Sequence, residues 1–232
     1  MCEETDIATL SDYLTDTRRL LHDANAVYWN DTDLTSFINR AMKQRDRDSG
    51  MNRTNISFTL TPGVAFYSLS VVASSGTVLF PVGGSTNAHD VGQIVLIYSN
   101  VRQLLDQQPY SYLTQLYQQV QGYQQVPCGF AKYGAGTVLI APSPNQAYVT
   151  EWDMLVVAND LAINTDTDPL PYPWTDPVPF LAAHFAKLEL QQPDEAAQYM
   201  NLYAQRLISA QAGSRGYAVP GAYGTLPPGW TR

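Results

Sequence analysis

The hydrophobic period of the chain changes twice, from helical to alternating and back. After Thr9, the positions Leu10, Tyr13, Leu14, Thr17, Leu20 and Leu21 recur at helical spacing, with Asp12 and Asp16 early, where the helix dipole favours acids. Tyr28-Trp29-Asn30-Asp31 reads as an aromatic turn, and Asp31 is placed to cap a second helix through Leu34, Phe37, Ile38, Ala41 and Met42. The two helices are expected to lie antiparallel, followed by a polar loop from Arg45 to Asn55.

From Ile56 the period becomes two. Ile56, Phe58 and Leu60 alternate with polar residues up to the turn Pro62-Gly63, and Phe66 and Leu69 fall in a further short run, which predicts a strand pair. Strands are also expected over Thr77 to Phe80, Gln93 to Tyr98, Phe130 to Tyr133, Thr137 to Ala141 and Ala147 to Ala158, because these runs are β-branched and aromatic between turn-forming residues. Loops are expected at Gly83 to Asn87 and at Pro142 to Asn145. Ser111 is placed to cap one intervening helix through Leu113, Leu116, Tyr117 and Val120. Together these elements predict a small antiparallel sheet or sandwich.

The proline-dense stretch Asp166 to Trp174 excludes regular structure. Helices return after it. Asp176-Pro177 starts one with Phe180, Leu181, His184, Phe185 and Leu188 on its stripe, and Pro193-Asp194 opens the last, with Tyr199, Met200, Tyr203, Leu207 and Ile208. Residues Gly213 to Arg232 hold five glycines and three prolines and show no period, so they read as an extended arm.

The fold class that follows is α+β. N- and C-terminal helices form one bundle (residues 1–54 and 161–212), an antiparallel β-rich domain is inserted at 55–160, and 213–232 is the extended C-terminal arm. No internal repeat occurs at solenoid or propeller spacing.

Composition narrows the function. Charged residues make up only 15%, against roughly a quarter in typical soluble domains, so much of the surface is expected to face other protein. The net charge of −8 and scattered cations make the chain a poor wrapper of nucleic acid, whose affinity comes from clustered Lys and Arg. Apolar runs such as Ile94 to Ile97 are far shorter than the roughly 18 residues of a membrane span, so no membrane association is expected. The acidic N-terminus does not resemble a secretory signal, which points to synthesis and assembly in a cytoplasm. Cys2 and Cys128 are expected to be free thiols.

Candidate chemistry is sparse, and no enzyme, catalytic residue, metal or cofactor is expected. His22, His89 and His184 have no ligand company at metal-binding spacing. Glu151 and Asp153 lie two apart on a strand and share a face, as glycosidase acids do, yet a solvent-facing strand edge explains them better, with Trp152 pointing inward. Gly83-Gly84 and Gly134-Ala135-Gly136 lack the Lys and helix start of a phosphate loop. Cys128 has no basic partner in sequence. The chain has 15 tyrosines, and Tyr110, Tyr112, Tyr117 and Tyr123 among glutamines suit subunit contacts, since few charges there keep copies apart. In the arm, Tyr217, Tyr223 and Trp230 are the expected interface anchors.

Several of these segments also resemble a known family. They are Leu10-Ser11-Asp12-Tyr13-Leu14, Thr17 to Asp23, Tyr28 to Leu34, Phe37-Ile38-Asn39-Arg40-Ala41, Pro142-Ser143-Pro144 with Glu151, and Pro179 to Leu188 followed by the Tyr199 to Leu207 helix. In this order they resemble the bacteriophage head-to-tail adaptor (connector) proteins of short-tailed phages. The resemblance implies a structural virion protein at the head-tail junction, one copy in a dodecameric ring beneath the portal protein. It also implies tail nozzle or tail fibre partners, and DNA passing through the channel without specific binding. The alternative class is a carbohydrate- or receptor-binding virion protein, whose β-rich middle would offer exposed aromatics to sugars.

Overall fold

A computed structural model describes residues 7–81, 87–119, 123–134 and 136–216. In chain order the elements begin with α1 (Leu10–Leu21), α2 (Asp31–Ser49), β1 (Arg53–Leu60), β2 (Phe66–Ser68) and α3 (Leu69–Ser75). They continue with β3 (Thr77–Pro81), β4 (Ala88–Tyr98), β5 (Val101–Leu104), β6 (Asp106–Gln107), α4 (Tyr110–Gln119) and β7 (Gln124–Gln125). β8 (Gly129–Tyr133), β9 (Thr137–Ala141), β10 (Ser143–Pro144), β11 (Tyr148–Val156), α5 (Val178–Glu189) and α6 (Pro193–Gly216) complete the chain. Two compact units result, one from the residues up to Ser49 with those from Asp160 onward, the other from Gly50–Asn159. Terminal helices therefore flank an inserted, mainly antiparallel β region, the α+β class expected.

In the helical unit, α1 starts with a reciprocal capping box. The Asp12 N–H donates to Thr9 Oγ1 at 3.2 Å, and the Thr9 N–H donates back to Asp12 Oδ2 at 2.9 Å, so two otherwise orphaned donors are satisfied. Leu10, Tyr13, Leu14 and Thr17 are its buried face. α5 is the hub, packed against α1, α2 and α6. Its buried face is rich in small residues (Ala182, Ala183, Ala186), which let neighbouring helices approach closely.

Three helix ends depart from the sequence reading. The Asp33 N–H donates to Asn30 Oδ1 at 2.7 Å, so Asn30 rather than Asp31 caps α2, leaving Asp31 to pair with Arg18 at 2.6 Å. The expected loop from Arg45 is instead helical through Ser49, because Arg45 and Asp46 are buried together and Arg45 finds Asp168 far away in sequence. At the other end, Gly213–Gly216, expected in the arm, continue α6. A glycine costs a helix only about 1 kcal/mol, and Pro220 is the first residue that cannot continue it.

The β unit stacks two sheets. The larger has strand order β3-β1-β11-β4-β5 and is antiparallel throughout; the smaller is β2-β9-β8-β6, with β6 parallel to β8. β7 and β10 form a short parallel pair. The core lies between the sheets. Ile56, Leu60, Ile94, Leu96, Trp152 and Met154 face Tyr67, Phe130, Val138 and Ile140, with Leu69, Val72 and Ala73 of α3 beside them. On the far face of the smaller sheet, Ala131, Leu139 and Ala141 are covered by Leu113 and Tyr110 of α4.

Three expectations are corrected here. Leu69 begins α3 instead of continuing a strand, since Leu69, Val72 and Ala73 share one buried helical face. α4 starts at Tyr110, where the Pro109 carbonyl accepts from the Tyr112 and Leu113 N–H groups, so Ser111 lies inside the helix. Glu151 and Asp153 sit on β11, the middle strand of the large sheet, not at an edge.

Gly76 links α3 to β3 where no side chain fits. An added Cβ would collide with Ile56 Cγ2 and come within 2.8 Å of the Val72 carbonyl oxygen. Gly76→Ala should therefore destabilise the protein by about 1–3 kcal/mol, as overpacking does, which a urea titration of the two proteins would measure.

Candidate interaction surfaces

The turn joining α1 to α2 is built around one carboxylate. Asp23 accepts the backbone N–H groups of Val27 (2.8 Å), Tyr28 (3.3 Å) and Trp29 (2.9 Å), and Arg18 Nη1 lies 3.3 Å away. Burial opposes the charge on Asp23, but the N–H groups of Trp29, Val27 and Tyr28 and the Arg18 guanidinium outweigh it and hold its carboxyl below the usual range. Trp29 turns inward, its ring edge-on to Phe37 at 5.6 Å. The backbone is thus fixed, while Val27 (73% exposed) and Tyr28 (82%) project into solvent. Apolar side chains held outward on a rigid turn are suited to a protein partner.

A second surface lies on the β unit. Tyr133 stacks on Tyr110 with ring centres 4.6 Å apart and touches Phe66 edge-on at 5.9 Å. Phe66 and Tyr133 are both about half exposed (47% and 49%), and Tyr112 and Tyr123 are exposed nearby in the Gln/Tyr segment, with Gln125 Nε2 donating to the Tyr123 hydroxyl. The side chain of Tyr117 and the arm residues Tyr217, Tyr223 and Trp230 lie outside the described residues. Interplanar angles of 65° and 35° prevent these rings from forming one flat platform of the kind that stacks sugars.

The third surface is a groove of about 510 Å³ in the helical unit. One wall is α1 with the residue before its cap, giving Ala8, Asp12, Tyr13, Asp16, Arg19 and Leu20. The other runs into α5, with Tyr172, Thr175, Asp176, Pro179 and Phe180.

A buried network ties these walls to α2. Asp168 accepts two bonds from Arg45, at 2.6 and 3.1 Å, and one from the Tyr13 hydroxyl at 2.5 Å. Arg45 also reaches Asp46 at 2.7 Å. Burial first, and then the charge of Asp168, push the Tyr13 hydroxyl far above the ordinary tyrosine range, so it stays a hydrogen-bond donor. Nothing before the fold is known signals this network, because Asp168 lies more than a hundred residues from Tyr13 and Arg45.

The residues weighed for chemistry have structural roles. Glu151 pairs with Arg102 of β5, two strands away, and Asp153 pairs with Arg53 of the adjoining β1 at 2.8 Å, so each acid is neutralised by a cation of the same sheet. His22 ends α1 in a left-handed conformation, φ 56°. His184 Nδ1 lies 2.8 Å from the Ala196 carbonyl oxygen, joining α5 to α6, and His89 is on β4. Among the described residues, Cys128 is a free thiol, no cluster of His, Cys, Asp and Glu could hold a metal ion, and no helix is long and apolar enough to cross a membrane.

A family model described as SU10 adaptor protein matches residues 8–224, across both units. The chain belongs to the SU10 adaptor protein family. A search of curated proteins finds no significant match. SU10 adaptors are head-to-tail adaptors of phages, structural proteins of the virion that engage portal and tail components.

Proposed function

We propose that this adaptor is one subunit of a dodecameric ring that joins the portal protein to the tail nozzle or fibres and forms part of the channel for DNA. The observation that carries this reading is the outward display of Val27 and Tyr28 on a turn that Asp23 has already ordered. A free-standing monomer gains nothing from such a display, whereas a head-to-tail ring uses it once per subunit. Low charge content and a net charge of −8 suit close copies around DNA that must slide without sticking. Assembly takes place in the host cytoplasm, before incorporation at the head-tail junction. Subunit contacts involve Tyr110, Tyr112, Tyr117 and Tyr123, and the arm docks on another subunit through Tyr217, Tyr223 and Trp230.

Native mass measurement tests this with the full chain alone, with its portal ring, and after truncation following Gly216, where α6 ends. The full chain should form a closed ring on the portal, and the truncated chain should lose most of its incorporation. A full chain that remains monomeric beside an intact portal ring would overturn the reading.

A further inference from the structure

We infer that the groove between α1 and the start of α5 receives residues 217–232 of a neighbouring copy of this chain. The inference rests on the ring reading and names the site that its arm occupies.

The groove has the chemistry of a receptor for proline-rich extended peptides. Tyr172, largely exposed, and the half-buried Phe180 give it aromatic surface, with Tyr13 and Pro179 buried at its base. Peptides with closely spaced prolines are already extended before they bind, so they lose little entropy when they dock in aromatic-lined grooves. Residues 217–232 carry Pro220, Pro227 and Pro228, followed by Trp230 and Arg232. At about 510 Å³, the groove falls within the roughly 300–1,000 Å³ typical of binding clefts, and suits Trp230 with the residues beside it.

Charge points the same way. Asp12, Asp16 and Asp176 stand around the groove with Arg19 in its lining and Arg206 beside it, over the Phe180 ring. Asp12 is engaged by the α1 cap and Asp176 by Arg206 at 3.3 Å. Asp16 is exposed and joins no ion pair among the described residues. Residues 217–232 contain Arg232 and no Asp or Glu, in a chain whose net charge is −8. Arg232 is therefore the complement of Asp16, two residues from the aromatic anchor.

The length of the segment puts a neighbour's groove within reach. Arg206 pairs with Asp176 of the groove, and α6 continues ten residues further, about 15 Å at 1.5 Å per residue. In polyproline conformation sixteen residues span about 50 Å, well beyond the roughly 17 Å radius of gyration of a compact chain of this length.

The test uses the full chain in a Cys2→Ser, Cys128→Ser background carrying Asp16→Cys and Arg232→Cys, oxidised after assembly on the portal ring. Disulfide-linked ladders of two or more copies are expected. A complete ring that yields only unlinked chains, or only links within one chain, overturns the groove assignment and leaves the ring intact; absence of any ring would instead count against the reading beneath it. Charge reversal supplies a second measurement. Asp16→Arg or Arg232→Asp alone should weaken incorporation about ten-fold, the two together should restore it, and Trp230→Ala should weaken it about thirty-fold. Unchanged incorporation in both single reversals would also overturn the proposal.

Discussion

Asp168→Ala is expected to remove about 3–5 kcal/mol from the stability of the helical unit, because it strands a buried guanidinium. Arg45 is fully buried, and Asp168 binds it through both carboxylate oxygens at 2.6 and 3.1 Å. The same carboxylate also accepts the Tyr13 hydroxyl and, at 2.9 Å, the Leu170 N–H. Without Asp168, Arg45 keeps only Asp46 and a long bond of 3.4 Å to the Trp174 carbonyl, and Tyr13 loses its acceptor in a buried setting. A domain is stable by only about 5–15 kcal/mol, so the loss is a large fraction of the whole. Urea unfolding followed by far-ultraviolet circular dichroism measures it. If Asp168→Ala costs under 1 kcal/mol, the network is not what secures the linker.

Trp152→Ala should cost the β unit about 3–5 kcal/mol, the range for emptying a large aromatic site in a core. The side chain is wholly buried on the middle strand of the large sheet, edge-on to both Phe58 and Tyr67 at 6.3 Å. Its Nε1–H donates to Thr150 Oγ1 at 2.8 Å, and that hydroxyl donates onward to the Phe58 carbonyl at 2.7 Å. Alanine would leave a cavity that three strands border and none can close, because pairing fixes their backbones. The measure is a lower urea midpoint with the same denaturant dependence. An equal midpoint would show that the sheets do not meet over this ring.

Both residues were visible in the sequence, but only one was readable there. Trp152 alternates with Glu151 and Asp153, and period-two alternation alone assigns it to the buried face. Asp168 sits in a proline-dense stretch that excludes regular structure, and that stretch is irregular yet holds the buried Leu170 and Trp174. Arg45 stood in a polar run that resembled a loop, because an arginine and an aspartate side by side are ordinarily solvated. The hairpin of β4 and β5 was half missed for a local reason. Its two-residue turn uses Ser99 and Asn100 in left-handed conformations (φ 50° and 62°) in place of the Asn-Gly pair that announces such a turn.

By itself, then, the sequence determined the elements whose signals are local. The stripe of α1 and the alternation of β1 and β11 are each carried within a few residues. Only the tertiary structure decided which polar residues go inside and which apolar ones stay out. Arg45 is buried because Asp168, over a hundred residues away, compensates its charge, and Tyr28 is exposed because Asp23 and Trp29 fix the turn beneath it. Burial of a charge depends on a partner in space, and display of an apolar side chain depends on a rigid support. Neither has a period that a linear pattern can carry.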